Sequence, residues 1–350
     1  VTTPDANSAA LRHIHTGGTL DEHQSFGLFD AVFAGRLADA DVFDLLKTLA
    51  HRGPTIDELV GAARAMRRHL KPVDLGFPPT FPSTPILDTC GTGGAPKLFN
   101  VSTIGAIVTA AAANRRVLVA KHGNRSRTGR GSAEVLEALG VNIHATPEAQ
   151  ARSLRDVGIC FSFAPDHHPG ARHAAAARKA LGTPTIFNLL GPLSNPAGAT
   201  RQLIGTYSHH NANLLAQALA RLGAANGHAM VVTSLDGLDE LTTTASNRVF
   251  TVQNGQVTPT AFNASSLGFA SATIADLQAD SLDHATRIAR QVLAGQPGPT
   301  TDIVMLNAAA SLLVGGVATD MAEGCLLARH ALESGAAART LDAWVRASHS

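Results

Sequence analysis

From Ile86 onward the chain alternates short apolar runs with longer helical stretches, and that alternation leaves few folds open to it. Ile86-Leu87-Asp88-Thr89 is followed by a helical pattern over Ser102 to Asn114 and then by Val117-Leu118-Val119-Ala120. The rhythm returns through Ile159 to Phe163, Leu203 to Tyr207, a helix over Asn211 to Leu222, and Ala229 to Thr233. Strands separated by helices predict a mostly parallel sheet covered on both faces. Asn254-Gly255, between Val249-Phe250-Thr251-Val252 and Gln256-Val257-Thr258, is a hairpin signal and predicts an antiparallel addition to that sheet. The Ala-rich segments Ile303 to Val314 and Asp320 to Leu332 read as closing helices.

The first seventy or so residues follow a different period. Phe26, Phe29, Val32 and Phe33 recur at helical spacing before Gly35, and Val42, Leu45, Leu46 and Leu49 do so before Gly53. Thr55-Ile56-Asp57-Glu58 has the form of a capping box and opens a helix through Leu59, Ala62, Ala63, Met66 and Leu70. The stretch Pro72 to Pro85 is rich in proline, which removes backbone donors and resists both helix and central strand, so it reads as a connection. The expected class is therefore α/β. A small helical domain over 1–75, joined by helices from about 167–182, precedes a larger domain over 84–350 with a mostly parallel sheet flanked by helices.

Charge and cysteine usage exclude several functions. With 28 Lys plus Arg against 27 Asp plus Glu, the formal charge of +1 gives no global field for nucleic acid or an anionic membrane. An aromatic content of 4% also offers few stacking platforms for single strands, so a nucleic-acid-binding role is disfavoured. Cys90, Cys160 and Cys325 are far apart and show no metal-ligand spacing, which suits a reducing compartment. No apolar run approaches the roughly 20 residues of a membrane span, and Val1 to His15 lacks the layout of a signal peptide. A cytoplasmic location is expected, and any phosphate binding must be local.

Three loops carry that chemistry. Asp88-Thr89-Cys90-Gly91-Thr92-Gly93-Gly94 leaves an expected strand, and Asn100-Val101-Ser102-Thr103 opens an expected helix. Glycines admit an anion close to backbone N–H groups, and a helix start adds free N–H groups and a favourable dipole. The spacing matches neither the Walker nor the dinucleotide fingerprint, and a tight turn before an ordinary helix cap explains the segment taken alone. The next strand is followed by Lys121 to Ser132, which carries Lys121, Arg125, Arg127 and Arg130. In a doubly wound sheet, loops at the carboxyl ends of neighbouring strands converge on one crevice, so this cationic loop suits a diphosphate or other polyanion. The third loop, Ser234-Leu235-Asp236-Gly237-Leu238-Asp239-Glu240, places adjacent carboxylates on a turn beside the expected phosphates, a donor set suited to Mg²⁺. A solvated acidic loop is the alternative. Arg178 could pair with a substrate carboxylate and Gly191-Pro192 could wall a flat ring, although His167-His168-Pro169 and Arg178 also suit a helix start and an exposed helix arginine.

Taken in order, Gly91-Thr92-Gly93-Gly94 with Phe99-Asn100-Val101-Ser102-Thr103, then Lys121-His122-Gly123-Asn124-Arg125-Ser126, Thr185 to Pro192, and Asp236 to Glu240 resemble the anthranilate phosphoribosyltransferase family. The resemblance extends from Phe29 to the Leu306-Asn307-Ala308-Ala309-Ala310 helix. It implies a small helical domain joined to an α/β domain, usually in a homodimer formed through the helical part. It also implies transfer of phosphoribose from phosphoribosyl diphosphate to the amine of anthranilate, with Mg²⁺ on the diphosphate, in tryptophan biosynthesis. Carried over, Gly91, Thr92, Gly93, Gly94, Asn100, Ser102, Thr103, Lys121 and Ser132 would hold the donor. His122, Asn124, Arg178, Gly191 and Pro192 would line the anthranilate path, and Ser102, Asp239 and Glu240 would hold the metal. No residue is singled out as a nucleophile.

Two departures fall in the donor loops. Ala95-Pro96-Lys97-Leu98 is one residue shorter than the family's run and lacks its Asp-Gly, and Arg127-Thr128-Gly129-Arg130 replaces a Ser- and Lys-containing run. Lys97, Arg127 and Arg130 are expected to supply positive charge directly where the missing acid would have worked through a cation. A nucleoside phosphorylase of the same fold is the competing enzyme, because it too handles an anomeric centre beside an anion.

Overall fold

The computed structural model describes residues 4–76, 84–96, 98–126, 129–223 and 227–350. Four helices come first: α1 (Pro4–His15), α2 (Glu22–Phe33), α3 (Asp39–Arg52) and α4 (Ile56–Arg68). The capping box at Thr55 forms as its sequence requires, and a second one at Asp21 starts α2. Glu58 does more than cap. Its buried carboxylate accepts from the backbone N–H groups of Leu20 and Thr55 and from the Arg52 guanidinium, tying three helices together. Burial opposes ionisation there, but those donors overcome it and hold the Glu58 carboxyl below its ordinary range.

The rest of the chain runs β1 (Ile86–Gly91), α5 (Val101–Ala113), β2 (Leu118–Gly123), α6 (Ser132–Ala138), α7 (Pro147–Asp156), β3 (Ile159–Phe163), α8 (Ala164–His167), α9 (Ala175–Leu181), α10 (Ile186–Leu190), β4 (Arg201–Gly205), α11 (His209–Leu222), β5 (His228–Ser234), β6 (Asn247–Gln253), β7 (Gln256–Phe262), α12 (Leu282–Leu293), α13 (Pro299–Val314), α14 (Met321–Glu333) and α15 (Ala336–Ser348). The sheet has seven strands in the order β3-β2-β1-β4-β5-β6-β7. The first five are parallel, and β6 and β7 form the antiparallel hairpin that Asn254-Gly255 signals. Helices α5, α11, α13 and α14 fall where the apolar periodicity places them, while α1, α6, α7, α12 and α15 lie outside the helices singled out from sequence.

Alternate residues of the central strands feed two separate cores, as the two-residue period of a strand demands. Leu203, Val232 and Val249 join the core built on α5 and α13, whereas Ile204, Val231 and Phe250 face the core shared with α2, α3, α4 and α11. The four-helix lobe thereby packs on the sheet through α10 and α11. Helix α9 packs against α3, and the turn of 169–174 against α2; a Cβ at Gly170 would stand 2.7 Å from the Phe33 carbonyl oxygen. Strand order reverses between the neighbours β1 and β4, from which the sheet grows in opposite directions. That switch point places a crevice at the carboxyl ends of the strands.

Candidate active site

The carboxyl end of β1 is where the sequence-derived loops meet. Lys121, at the end of β2, is buried and aims its Nζ back across the sheet, donating to the Thr89 carbonyl oxygen at 2.6 Å and to the Ser102 hydroxyl at 3.2 Å. Ser102 begins α5, and its N–H donates to a Glu240 carboxylate oxygen at 3.2 Å. The glycine turn, the cationic loop and the acidic loop are thus linked through one serine. Burial lowers the Lys121 pKa, with Asp88, Cys90 and Glu240 opposing that shift. Asp88 is buried directly beneath and accepts from the His122 backbone N–H at 3.0 Å. Its pKa is raised by burial against the pull of that N–H and of Lys121.

The acidic loop lies directly over the strand ends. A Cβ at Gly205 would fall 1.6 Å from the Asp239 carbonyl oxygen, so β4 must end in glycine for the loop to seat, whereas one at Gly91 would stand 2.8 Å from the Asp239 carboxylate, a side-chain end that can turn aside. Asp236 accepts from the hydroxyls of Ser234 and Thr244 and so builds the turn. Asn307, buried on α13, holds the far side: its amide donates to the Leu241 carbonyl oxygen at 2.7 Å and its Oδ1 accepts from the Leu241 N–H at 3.1 Å. The Glu240 pKa is pushed up to about 8, by burial first and then by the Asp239 carboxylate. Two adjacent carboxylates on one turn are a donor set that suits a hard divalent cation. Among the described residues no cluster of three or more His, Cys, Asp or Glu side chains is placed to hold a metal, so the pair needs oxygens from elsewhere. The Ser102 hydroxyl, held by Lys121 in the same network, can supply one of them.

On the donor side Gly93 and Gly94 have φ of +68° and +98°, and a Cβ at Gly94 would meet the Tyr207 ring at 2.7 Å. The Asn100 amide donates to the Arg130 carbonyl oxygen at 3.2 Å, while its buried Oδ1 and the buried Thr103 hydroxyl have no partner among the described residues. Ser132 opens α6 and donates to the Asn124 carbonyl oxygen at 3.3 Å; Asn124 itself is exposed. Lys97, Arg127 and Thr128 lie outside the described residues. Arg130 does not aim its charge at the crevice as expected. Its guanidinium is committed to the Ala279 carbonyl oxygen, in the segment before α12.

The segment after α9 forms the other wall. Asn188 donates to the Thr92 carbonyl oxygen at 3.2 Å, which ties α10 to the glycine turn. The Gly191 carbonyl oxygen lies 3.2 Å from His122 Nδ1, and His122 Nε2 lies 3.2 Å from His168 Nε2. A carbonyl only accepts, so the bonding assigns the proton of His122 to Nδ1 and makes its Nε2 accept from His168 Nε2–H. Arg178 stacks its guanidinium 4.8 Å from the centre of the Phe187 ring. No carboxylate among the described residues pairs with it, and burial lowers its pKa. A half-buried guanidinium without a counter-ion is equipped to take one from a ligand.

Both rings of the histidine pair stay neutral. Burial and the neighbouring His168 lower His122 to about 3, and burial and His167 lower His168 to about 4. In the unfolded chain both take up protons below about pH 6.5, whereas in the folded protein they do not, so stability is lost as pH falls from 6.5 toward 4. The loss is expected to reach about 2 kcal/mol per histidine at pH 5. Denaturant midpoints for the wild type and for His122→Gln with His168→Gln should therefore diverge in slope across that window; parallel profiles would show that the rings titrate normally.

Sequence reasoning passed over Asp88, Asn188 and Asn307 as participants and gave His168 a helix-start role. Asn307 left one trace, a lone amide within the apolar helix from Ile303 to Val314.

Comparison with known proteins identifies the family and the fold. Residues 83–338 match the family model described as the glycosyl transferase family a/b domain, and residues 8–70 match its helical bundle domain. The anthranilate phosphoribosyltransferase of Thioalkalivibrio sulfidiphilus is 42% identical over 95% of this chain and 96% of its own. The crystal structure of the Thermus thermophilus enzyme of that name superposes with a TM-score of 0.88 at 37% identity, covering 97% of this chain and 99% of that one. The Saccharomyces cerevisiae enzyme, solved in complex with phosphoribosyl diphosphate and Mg, has the same fold, with a TM-score of 0.87, 24% identity and 99% coverage of both chains.

Proposed function

The chain belongs to the anthranilate phosphoribosyltransferase family, pentosyltransferases of tryptophan biosynthesis, and from that premise we propose how its own residues carry the transfer. The reaction joins the amine of anthranilate to the anomeric carbon of phosphoribosyl diphosphate and releases diphosphate. It needs stabilisation of a charged leaving group and placement of a weak aromatic amine behind the carbon it leaves.

The observation that carries the assignment is the Thr89–Lys121–Ser102–Glu240 network, which gathers a buried ammonium, a helix start and an acidic pair at the switch point of the sheet. In this reading the N–H groups of Gly91, Thr92, Gly93 and Gly94, the side chains of Asn100, Ser102, Thr103 and Ser132, and the Lys121 ammonium bind the donor's phosphates. Asp239 and Glu240, with the Ser102 hydroxyl, would hold Mg²⁺, which neutralises diphosphate charge when bound. The unpaired Arg178 guanidinium takes the anthranilate carboxylate, while His122, Asn124, Gly191 and Pro192 orient the ring. The neutral His122–His168 pair adds no positive charge beside the oxocarbenium-like centre that develops on the sugar.

The helical lobe is proposed to comprise 1–75 completed by the helices of about 167–182, with 84–350 as the α/β domain. A homodimer through that lobe and a cytoplasmic site of action complete the proposal; no helix among the described residues is long and apolar enough to cross a membrane. A nucleoside phosphorylase would split nucleosides with phosphate. The protein is expected to consume anthranilate with phosphoribosyl diphosphate and to leave nucleosides and phosphate untouched; the reverse pattern would reassign it.

Seating of the acidic loop is separately testable. Gly205→Ala puts a methyl where the Asp239 carbonyl oxygen sits, so the loop must move. A shift of that order is expected to cost about 100-fold in kcat/KM, with a higher Mg²⁺ requirement. Unchanged Mg²⁺ dependence would show that loop position is immaterial.

A further inference from the structure

A cavity of about 360 Å³ lies at the opposite end of the sheet from the active site, at the amino ends of β4 and β5. That volume is within the range of small-molecule sites. Its walls come from four places: Leu70 and Pro72 where the chain leaves the helical lobe, Leu219 and Leu222 on α11, Leu193 with Pro196 just after Gly191-Pro192, and the strand ends at Thr200, Gln202 and His228. Among the described lining residues there is no Asp or Glu, and His228 is kept neutral by burial and by Arg201. Arg67 is the one charge among them. Its Nε donates to the Leu193 carbonyl oxygen at 2.7 Å, and no carboxylate among the described residues pairs with its guanidinium. Arg67 is exposed to solvent, and the bond to Leu193 tethers its guanidinium to the wall.

The same wall is the back of the acceptor site. Gln202, which lines the cavity, donates to the Pro192 carbonyl oxygen at 2.6 Å. Asn195, also on the wall, donates at 2.8 Å to the carbonyl oxygen of Ala120, the residue before Lys121. Segment 191–196 therefore presents Gly191 to His122 on one side and Leu193 to Arg67 on the other.

We propose that this cavity is a second ligand site, taking a small monocarboxylic acid with an apolar body whose carboxylate pairs with Arg67, and that its occupation changes anthranilate binding through segment 191–196. One unpaired guanidinium beside Leu70, Leu193, Leu219 and Leu222 matches an aliphatic or aromatic acid, and the Asn195 and Gln202 amides on the wall already donate to backbone carbonyls, which leaves fewer donors for a phosphate. The coupling half rests on the function proposed above, whereas the binding half does not. Coupling between two sites is reciprocal, so acceptor and effector must shift each other's affinity by the same factor.

Hexanoate serves as the probe, because it lacks the ring and amine of the acceptor. Calorimetric titration into the full chain is expected to show one saturable site with Kd on the order of 1 mM, consistent with a ligand of this size. Arg67→Met should weaken binding by about 10-fold or more, as should hexanol in place of hexanoate. Ala199→Trp, which fills the cavity from a lining position remote from the active site, should do the same if the variant with Arg67 removed proves unstable. Arg178→Met should leave hexanoate binding unchanged. Absence of saturable binding to the wild type, equal affinity in Arg67→Met and Ala199→Trp, or loss confined to Arg178→Met would each overturn the site. Hexanoate should also change the anthranilate KM by about 5-fold or more in the wild type and not in Ala199→Trp. An unchanged KM with intact binding would reject the coupling, and failure of anthranilate turnover altogether would reject the function and leave the binding result standing.

Discussion

Asp239→Asn combined with Glu240→Gln is expected to remove Mg²⁺-dependent turnover, with a loss of about 10³-fold or more in kcat/KM. Each preorganised electrostatic contact to a departing charge commonly contributes roughly 10²- to 10³-fold, and this double change removes both ionisable oxygens beside the start of α5. The fold should survive it. The amide introduced in place of Glu240 retains an oxygen that can accept from the Ser102 N–H, and the carboxyl it replaces is one whose ionised form the protein disfavours. Any destabilisation should stay below about 1 kcal/mol. The pH dependence has a definite sign: Glu240 is raised to about 8 from its ordinary 4.5, so its contribution is fully present below pH 4.5 and is lost as pH rises through 8. Metal-free wild type should therefore lose stability over that interval and the double variant should lose less. Retention of activity and of the Mg²⁺ response in the double variant would remove these residues from the site.

Arg178→Ala should act on the acceptor alone. A charge-assisted bond to a carboxylate contributes roughly 1.5 to 3 kcal/mol, which corresponds to about a 10- to 150-fold loss in kcat/KM for anthranilate. The guanidinium also stacks on Phe187, a contact of about 0.5 to 1 kcal/mol, so some loss of thermal stability should accompany it. The KM for phosphoribosyl diphosphate should hardly move. An amine acceptor without the carboxylate separates the two effects: it should be used equally well by wild type and variant, and an equal loss with it would give Arg178 another task.

The loops that leave strand ends were the legible part of this site. Glycine turns, clustered cations and paired acids are local in sequence, and the strand–helix alternation places their loops at one end of a sheet before any contact is known. The residues that position them were not legible, because their partners are remote. Asn307 grips Leu241 from 66 positions away, and Asp88 takes its N–H from His122 34 positions on. His168 looked like part of a helix start, and only the fold brings its ring 5.0 Å from that of His122. Gln202 reads as one polar residue in a strand until Pro192 is found beside it. Arg130 shows the converse error, since a cation in a cationic loop can be committed to a backbone carbonyl that composition does not reveal. Helices α12 and α15 were legible too, since Ala285, Ile288, Ala289 and Val292, and likewise Ala337, Leu341 and Trp344, recur at helical spacing and were passed over.

The central claim is that donor, metal and acceptor meet in the one crevice joined by Lys121, Ser102 and Glu240. It is tested most directly by following anthranilate fluorescence and diphosphate release together in the presence of phosphoribosyl diphosphate and Mg²⁺. The expected result is that the two signals proceed with equal stoichiometry, stop when the cation is chelated, resume when Mg²⁺ is restored, and are both lost in the Asp239→Asn, Glu240→Gln variant. Diphosphate release without anthranilate consumption, or turnover indifferent to chelation and to that variant, would contradict it.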